Sequence, residues 1–320
     1  MRLRRLFLRV VVAAALVWAA GSLAFVMTQL APGDATLFDT GPGAVEARAV
    51  MRTRLGLDDP LPVRYGRWLA GVSQGSLGHS VLFERPVAEV LRERTVNTAS
   101  LALAALLVGS LLGLPLGVYT GTHPSSVGTR LIRIVSALCV SIPSLLMALV
   151  LVLLSARTGW LPVGGMTGRA VAASWLPVLL DRLSHLAVPA LALALPLAAM
   201  LEQTQAQAMT AVRAARVLDG ARARGLSRRA AIWRHAWPLS LGTVLPVYGV
   251  LAGTLFGGAV AVEAVTAWPG LGRLMLDAVR ARDAALLAGA TMTTTALLAG
   301  MTQTVDALAA WRDPRTRAGA

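Results

Sequence analysis

Six stretches of mostly apolar residues, at about 9 to 30, 98 to 120, 132 to 155, 185 to 206, 240 to 262 and 286 to 305, dominate this 320-residue chain. A hydrocarbon core takes a helix of about 20 apolar residues, and a backbone with no water beside it must satisfy its own hydrogen bonds. The pattern therefore commits the chain to an all-α, polytopic membrane protein with six transmembrane helices. Only 14% of the residues are charged and the mean hydropathy is +0.64, whereas soluble domains carry about 25% charged residues. The basic start MRLRRLFLR suggests a signal peptide, but its apolar run continues to about Leu30, longer than a signal core. It is expected to be a retained first span.

Six spans place both ends on one side. Arg2, Arg4, Arg5 and Arg9 precede the first span, Arg130 and Arg133 border the turn at 121 to 133, an arginine cluster follows the fourth, and Arg312, Arg315 and Arg317 follow the sixth. The positive-inside rule makes all four sites cytoplasmic. Segment 31 to 97 then lies outside, where its eight arginines are set against Asp34, Asp39, Glu46, Asp58, Asp59, Glu84, Glu89 and Glu93. The expected organisation is a tail and first span at 1–30, an extracytoplasmic segment at 31–97, a five-span core at 98–306 with a cytoplasmic loop at 207–239, and a tail at 307–320.

Small residues recur every four positions in two spans, at Gly109, Gly113, Gly117 and Gly121 and at Gly249, Gly253 and Gly257. Such stripes let helices approach closely where lipid provides no hydrophobic drive, so both are expected to pack within the bundle. Pro115, Pro143, Pro189, Pro196 and Pro246 imply kinks.

Several chemistries lack support. Gly71-Val72-Ser73-Gln74-Gly75 matches the G-x-S-x-G elbow, but no strand-like run precedes it. His79, His123, His185 and His235 are scattered without a metal-ligand companion, so no metal site is read. The single Cys139 allows no internal disulfide. The net charge of +14 is carried by arginines spread over many loops, with no aromatic-interleaved face for nucleic acid. No lysine occurs at all, so a P-loop, which needs one to reach the phosphates, is absent. Active transport would then use an ion gradient or a borrowed ATPase. Intramembrane ionisable residues are few, namely Glu202, Glu263 and Asp306, which favours the borrowed motor.

The arginine cluster reads DGARARGLSRRAAIWRHA from Asp219 to Ala236. Good helix formers from Gln203 to Arg224 extend the fourth span as a helix. Gly225 suits the left-handed position that ends it, and Ser227 can cap a second helix running to about Ala236, before Pro238. Composition leaves two roles open for this corner: contact with anionic head groups, or docking of a cytoplasmic partner.

Asp219-Gly220-Ala221, Gly225, His235-Ala236 and Pro238 resemble the cytoplasmic EAA loop of ABC transporter inner-membrane permeases. Ala221 to Ser227 with Arg234-His235-Ala236 resembles the version found in the dipeptide, oligopeptide and nickel permease family. The likeness extends to Leu30-Ala31-Pro32-Gly33-Asp34, Leu55 to Asp58 with Pro60 to Val63, Gly75 to Ser80, Ser141 to Ser144, Gly159 to Pro162 and the block Gly257 to Asp283. Asp219-Gly220 stands in place of Glu-Ala, Arg224 in place of lysine and Thr266 in place of an aromatic residue.

The resemblance implies a type I importer permease fold in the cell membrane, with both termini cytoplasmic. It implies a permease moving dipeptides or oligopeptides by alternating access, with nickel as the alternative solute and an ion-coupled secondary carrier as the alternative mechanism. The chain would be no enzyme and hold no cofactor, because ATP and Mg would be bound by two partner ATP-binding subunits. Its other partners would be a second, similar permease and an extracytoplasmic solute-binding protein. Coupling to the ATPases falls by resemblance on Asp219, Ala221, Arg222, Arg224, Gly225, Leu226 and His235. An outer gate is expected at Glu263, Pro269, Gly270, Gly272, Arg282 and Asp283, with Arg273 available for pairing.

Overall fold

The computed structural model describes residues 2–31, 58–167, 175–215 and 217–312. Among them the regular structure is helical, with one isolated bridge between His79 and Pro86 and no strand. Five helices are long and apolar enough to cross a membrane, and one bent pair supplies a sixth span if counted as one. Pro32 to Leu57, including parts of two of the quoted motifs, and Arg315 and Arg317 lie outside the described residues.

Helix α1 is Arg2–Leu30 and α2 is Leu61–Ser73, while α3, Val87–Thr122, starts eleven residues before the apolar window that predicts it. Ser126 then caps α4, Val127–Ser141, by accepting a hydrogen bond from the Thr129 N–H at 3.0 Å. The third window, 132 to 155, is not a straight span. It breaks between α4 and α5, Ser144–Thr158, with a bend of 106°. Pro143 has no N–H for the helical ladder and drives the residue before it out of the α region. Ile142 accordingly sits at φ −88°, ψ 119°, and Pro143 becomes the residue ahead of α5.

Helix α6, Trp175–Ala214, keeps Pro189 and Pro196 inside a 40-residue helix. It stops at Ala214 instead of continuing to Arg224, and α7, Val217–Ala223, resumes after the break. Beyond a corner come α8, Arg228–Ala231, a π turn at Ile232–Ala236 and α9, Trp237–Val244. The second helix of the corner thus runs past Ala236. In the π turn the Trp237 N–H reaches back five residues to the Ile232 carbonyl, and this local widening admits Pro238 without a break. The fifth window divides at Leu245 and Pro246 into α9 and α10, Val247–Val265. Helix α11 is Leu271–Arg280 and α12 is Ala284–Arg312.

Packing divides the chain into two compact units, residues 1–98 with 269–299, and residues 99–268 with 300–320. Residues 269–299 thus group with the N-terminal unit. In the first unit Val87, Val90 and Leu91 of α3 meet Leu271, Leu274 and Ala278 of α11 and Leu286 and Ala290 of α12. Phe25 of α1 stacks on Trp68 of α2, centroids 4.9 Å apart, above Ala284 and Ala288.

In the second unit α6 is the centre. A buried face that includes Ala194, Ala198 and Ala206 receives the Gly109 stripe of α3. A Cβ on Gly117 would stand 2.6 Å from the Glu202 carbonyl oxygen, and one on Gly121 2.7 Å from that of Ala206. Only glycine permits backbones this close. The second stripe differs. A Cβ at Gly249 meets only Thr302, at 3.7 Å, and at Gly253 or Gly257 it meets nothing within 4 Å.

Candidate functional site

The corner between α7 and α8 is built from the bottom by buried alanines. Ala221, Ala231 and Ala236 are fully enclosed, and Ile232 and Ala236 pack on Val118 of α3 and Met209 of α6, with Leu218 and Trp237 at the margin. Gly225 adopts φ +85°, the left-handed conformation that a residue with a Cβ takes only under strain. The Leu226 N–H returns to the Ala221 carbonyl at 3.3 Å, and Ser227 caps α8 by accepting from the Ala230 N–H. This is the chain reversal that Gly225 and Ser227 predict.

Asp219, Arg224 and Gly225 lie on the exposed side, Leu226 and His235 are half-buried, and Ala221 is buried. The Arg222 side chain lies outside the described residues. Exposed Arg228, Arg229, Trp233 and Arg234 complete an outer surface of mixed guanidinium and apolar character. Trp233 meets Trp237 edge to face at 5.1 Å.

One arginine of the corner and one at the end of α6 hold the end of α3, an arrangement that spacing alone does not reveal. Arg228 donates to the Thr122 carbonyl at 3.1 Å, and Arg213 donates to the Gly121 and Thr122 carbonyls at 3.4 and 3.5 Å. The last carbonyls of a helix have no partner within it and carry the negative end of its dipole, so cations are favoured there. A cavity of about 620 Å³ beside this clamp is lined by His123, Ser126, Asp219 and Arg228, among others. The corner is thus hydrogen-bonded to the end of α3 and packed against α6.

The block from Glu263 to Asp283 separates into two parts. In the second unit Glu263 is fully buried in α10, its carbonyl accepts from the Trp268 N–H at 3.0 Å, and Ala267 takes φ +53° to make that turn. The Thr266 carbonyl accepts from the Gly165 N–H at 3.0 Å. In the first unit the Pro269 carbonyl accepts from the Asn97 amide at 2.8 Å, Gly270 precedes α11, and the Leu271 N–H donates to the Thr98 hydroxyl at 2.7 Å. Gly272 is buried in the first turn of α11.

Asp283 is also buried, and one of its oxygens accepts from the Ser80 hydroxyl and the Val81 and Leu82 N–H groups at 2.7, 2.7 and 3.2 Å. Its other oxygen accepts from the Leu286 N–H at 3.0 Å, capping α12. Asp283 is thus a fastener between the 80–82 loop and a helix start, while Arg282 forms the preceding turn at φ +55° and Arg273 lies 4.0 Å from Asp277. Ser73 of the G-x-S-x-G match sits in the last turn of α2, its hydroxyl donating to the Ala70 carbonyl at 2.8 Å.

Apolar spans around a small-residue helix contact, with an arginine-rich corner held against two of them, define a multi-pass membrane protein. The chain belongs to the family of binding-protein-dependent transport system inner membrane components, whose model matches residues 113–318, and the companion model for the N-terminal part matches residues 2–102. A Brucella ovis protein named as a peptide permease is 34% identical over 275 residues, covering 84% of this chain and 85% of its own. An oligopeptide transport system permease protein of Bacillus subtilis is 29% identical over 296 residues, 92% of both chains. A Sinorhizobium fredii protein named as a peptide ABC transporter permease is 32% identical over 267 residues, 82% of this chain and 83% of its own.

Proposed function

We propose that this chain is a permease subunit of an ATP-driven importer that moves dipeptides or oligopeptides across the cytoplasmic membrane by alternating access. The peptide assignment is supported by the names of its relatives, none of which points to nickel. The observation that carries the mechanism is the corner at Gly225, exposed on one side and clamped to α3 and α6 on the other. Two cytoplasmic ATP-binding subunits drive it: their closure pushes on Asp219, Arg224, Gly225, Leu226 and His235, and the clamp passes the movement to the spans. A second, similar permease completes the pathway, a solute-binding protein delivers peptide from outside, and ATP and Mg stay on the ATPase subunits. Both termini face the cytoplasm, as the arginine distribution directs.

Affinity purification from the native membrane, with mass spectrometry of what comes with the chain, tests this reading. Two ATP-binding subunits, a second permease and a peptide-binding protein are the expected companions. A chain that purifies alone and transports in liposomes overturns it.

Glu263 is our candidate for an outer gate, on the ground that a carboxylate fully buried near the end of a span is rarely kept for packing alone. Glu263→Ala is expected to lower peptide uptake while the assembled complex is recovered in normal yield. Unchanged uptake removes the gate.

A further inference from the structure

Thr122 closes α3, and its carbonyl accepts from two guanidiniums at once, Arg228 at 3.1 Å and Arg213 at 3.5 Å. A neutral carbonyl, even at the negative end of a helix dipole of about half a charge, does not balance two cations held side by side. Among the described residues no carboxylate lies within ion-pair distance of either arginine. Both instead line the cavity of about 620 Å³ between the α3–α4 turn and the corner, together with His123, Ser125, Ser126 and Asp219. Asp219 is the single carboxylate in that lining, so the cavity keeps a net positive charge.

The surface beside the cavity selects the anion that fits it. Ser126, part of the lining, also caps α4, and from there Val127, Leu131, Ile134 and Leu138 follow one another along that helix, each more than half exposed. Side chains at this spacing share one face, so the basic cavity continues into an aliphatic row on a membrane-spanning segment. Basic pockets between spans at the cytoplasmic surface accept lipid head groups, and guanidinium forks match phosphate oxygens. Resting on the sidedness proposed above, we infer that this cavity holds the phosphodiester of an anionic phospholipid of the cytoplasmic leaflet. Arg213 and Arg228 take the phosphate oxygens, His123 and Ser125 add donors, and an acyl chain follows the α4 row. A soluble anion would use the arginines alone, whereas a lipid uses both surfaces. The bound phosphate neutralises the two guanidiniums and braces the joint between α3 and the corner.

The test uses the complex purified from the native membrane and stripped of lipid in detergent, with dioleoyl phosphatidylglycerol, dioleoyl phosphatidylcholine and inorganic phosphate as probes. Phosphatidylglycerol is expected to raise the melting temperature. Phosphatidylcholine, whose own cation offsets its phosphate, and inorganic phosphate are expected to leave it unchanged. Arg213→Gln combined with Arg228→Gln keeps an amide donor for each α3 carbonyl and removes both charges. This variant is expected to need about tenfold more phosphatidylglycerol for the same shift, the scale of losing one charge-assisted hydrogen bond. In the wild type, an equimolar phosphatidylglycerol with a diazirine in its acyl chain is expected to label residues 127–138 in preference to α1, a result that stands even if the variant fails to assemble. A wild type that phosphatidylglycerol does not stabilise, a double variant that responds as the wild type does, or labelling spread evenly over α1 and α4 overturns the site. A shift that inorganic phosphate reproduces overturns the lipid as its ligand.

Discussion

Gly117→Leu is expected to prevent the chain from accumulating as a folded membrane protein. The new Cβ would stand 2.6 Å from both the Glu202 carbonyl oxygen and the Gln205 Cβ. Neither can move without shifting α6, because Glu202 and Gln205 are themselves buried. Overpacking typically destabilises by about 1–3 kcal/mol. Here the obstacle is backbone, and separating α3 from α6 also removes the support of the corner at Val118 and Met209. Size-exclusion profiles of the detergent-solubilised chain read the outcome, aggregation being expected. Gly253→Ala is the control: its Cβ meets nothing within 4 Å, so the melting temperature of the chain should not fall. A monodisperse Gly117→Leu protein would mean that α3 and α6 tolerate a wider spacing than this packing implies.

Asp283→Ala is expected to unfasten the first unit. The substitution orphans the Ser80 hydroxyl and the N–H groups of Val81, Leu82 and Leu286. Bonds to a charged group contribute about 1.5–3 kcal/mol each, and breaking a buried network is one of the few single changes that reach about 4–5 kcal/mol. The start of α12 loses its cap, and the 80–82 loop loses its anchor. The expected results are a lowered melting temperature and a new proteolytic cut near Leu82. Asp283→Asn, which keeps one acceptor oxygen, should fall between. An Asp283→Ala protein that melts normally but transports poorly would instead support a gate role for Asp283.

The sequence made the membrane class legible because twenty apolar residues in a row have one economical solution in lipid. Gly225 and Ser227 were legible for a similar reason: the left-handed corner and the cap are local, decided by residues that touch their own backbone. Pro143 illustrates the boundary. A kink followed from its missing N–H, but the 106° turn into a separate helix depends on what α5 packs against. The two glycine stripes look alike on paper, yet the one on α3 is covered along its length by α6, while among the described residues the other meets only Thr302 at Gly249 and nothing at Gly253 or Gly257. Periodicity reports that a face is small and not what covers it.

Long-range polar pairs were the least legible. Ser80 and Asp283 are 203 residues apart, and Thr120 and Glu202 are 82 apart. Each member alone has an unremarkable local context. The arginines of the corner read as a charge pattern, whereas Arg213 and Arg228 act as donors to the end of a helix whose position only the fold supplies.

In the proposed mechanism the Gly225 corner transmits work between ATP hydrolysis and the spans. The most direct measurement is ATPase activity of the purified complex in liposomes, with and without solute-loaded binding protein, in the wild type and in Gly225→Asp. An aspartate there combines a Cβ at φ +85° with a carboxylate on the exposed edge of the corner. The account predicts that solute stimulates hydrolysis in the wild type and that the stimulation is lost in the variant, either because the ATP-binding subunits dissociate or because they hydrolyse without responding. A Gly225→Asp complex that retains its subunits and responds to solute as the wild type does would contradict it.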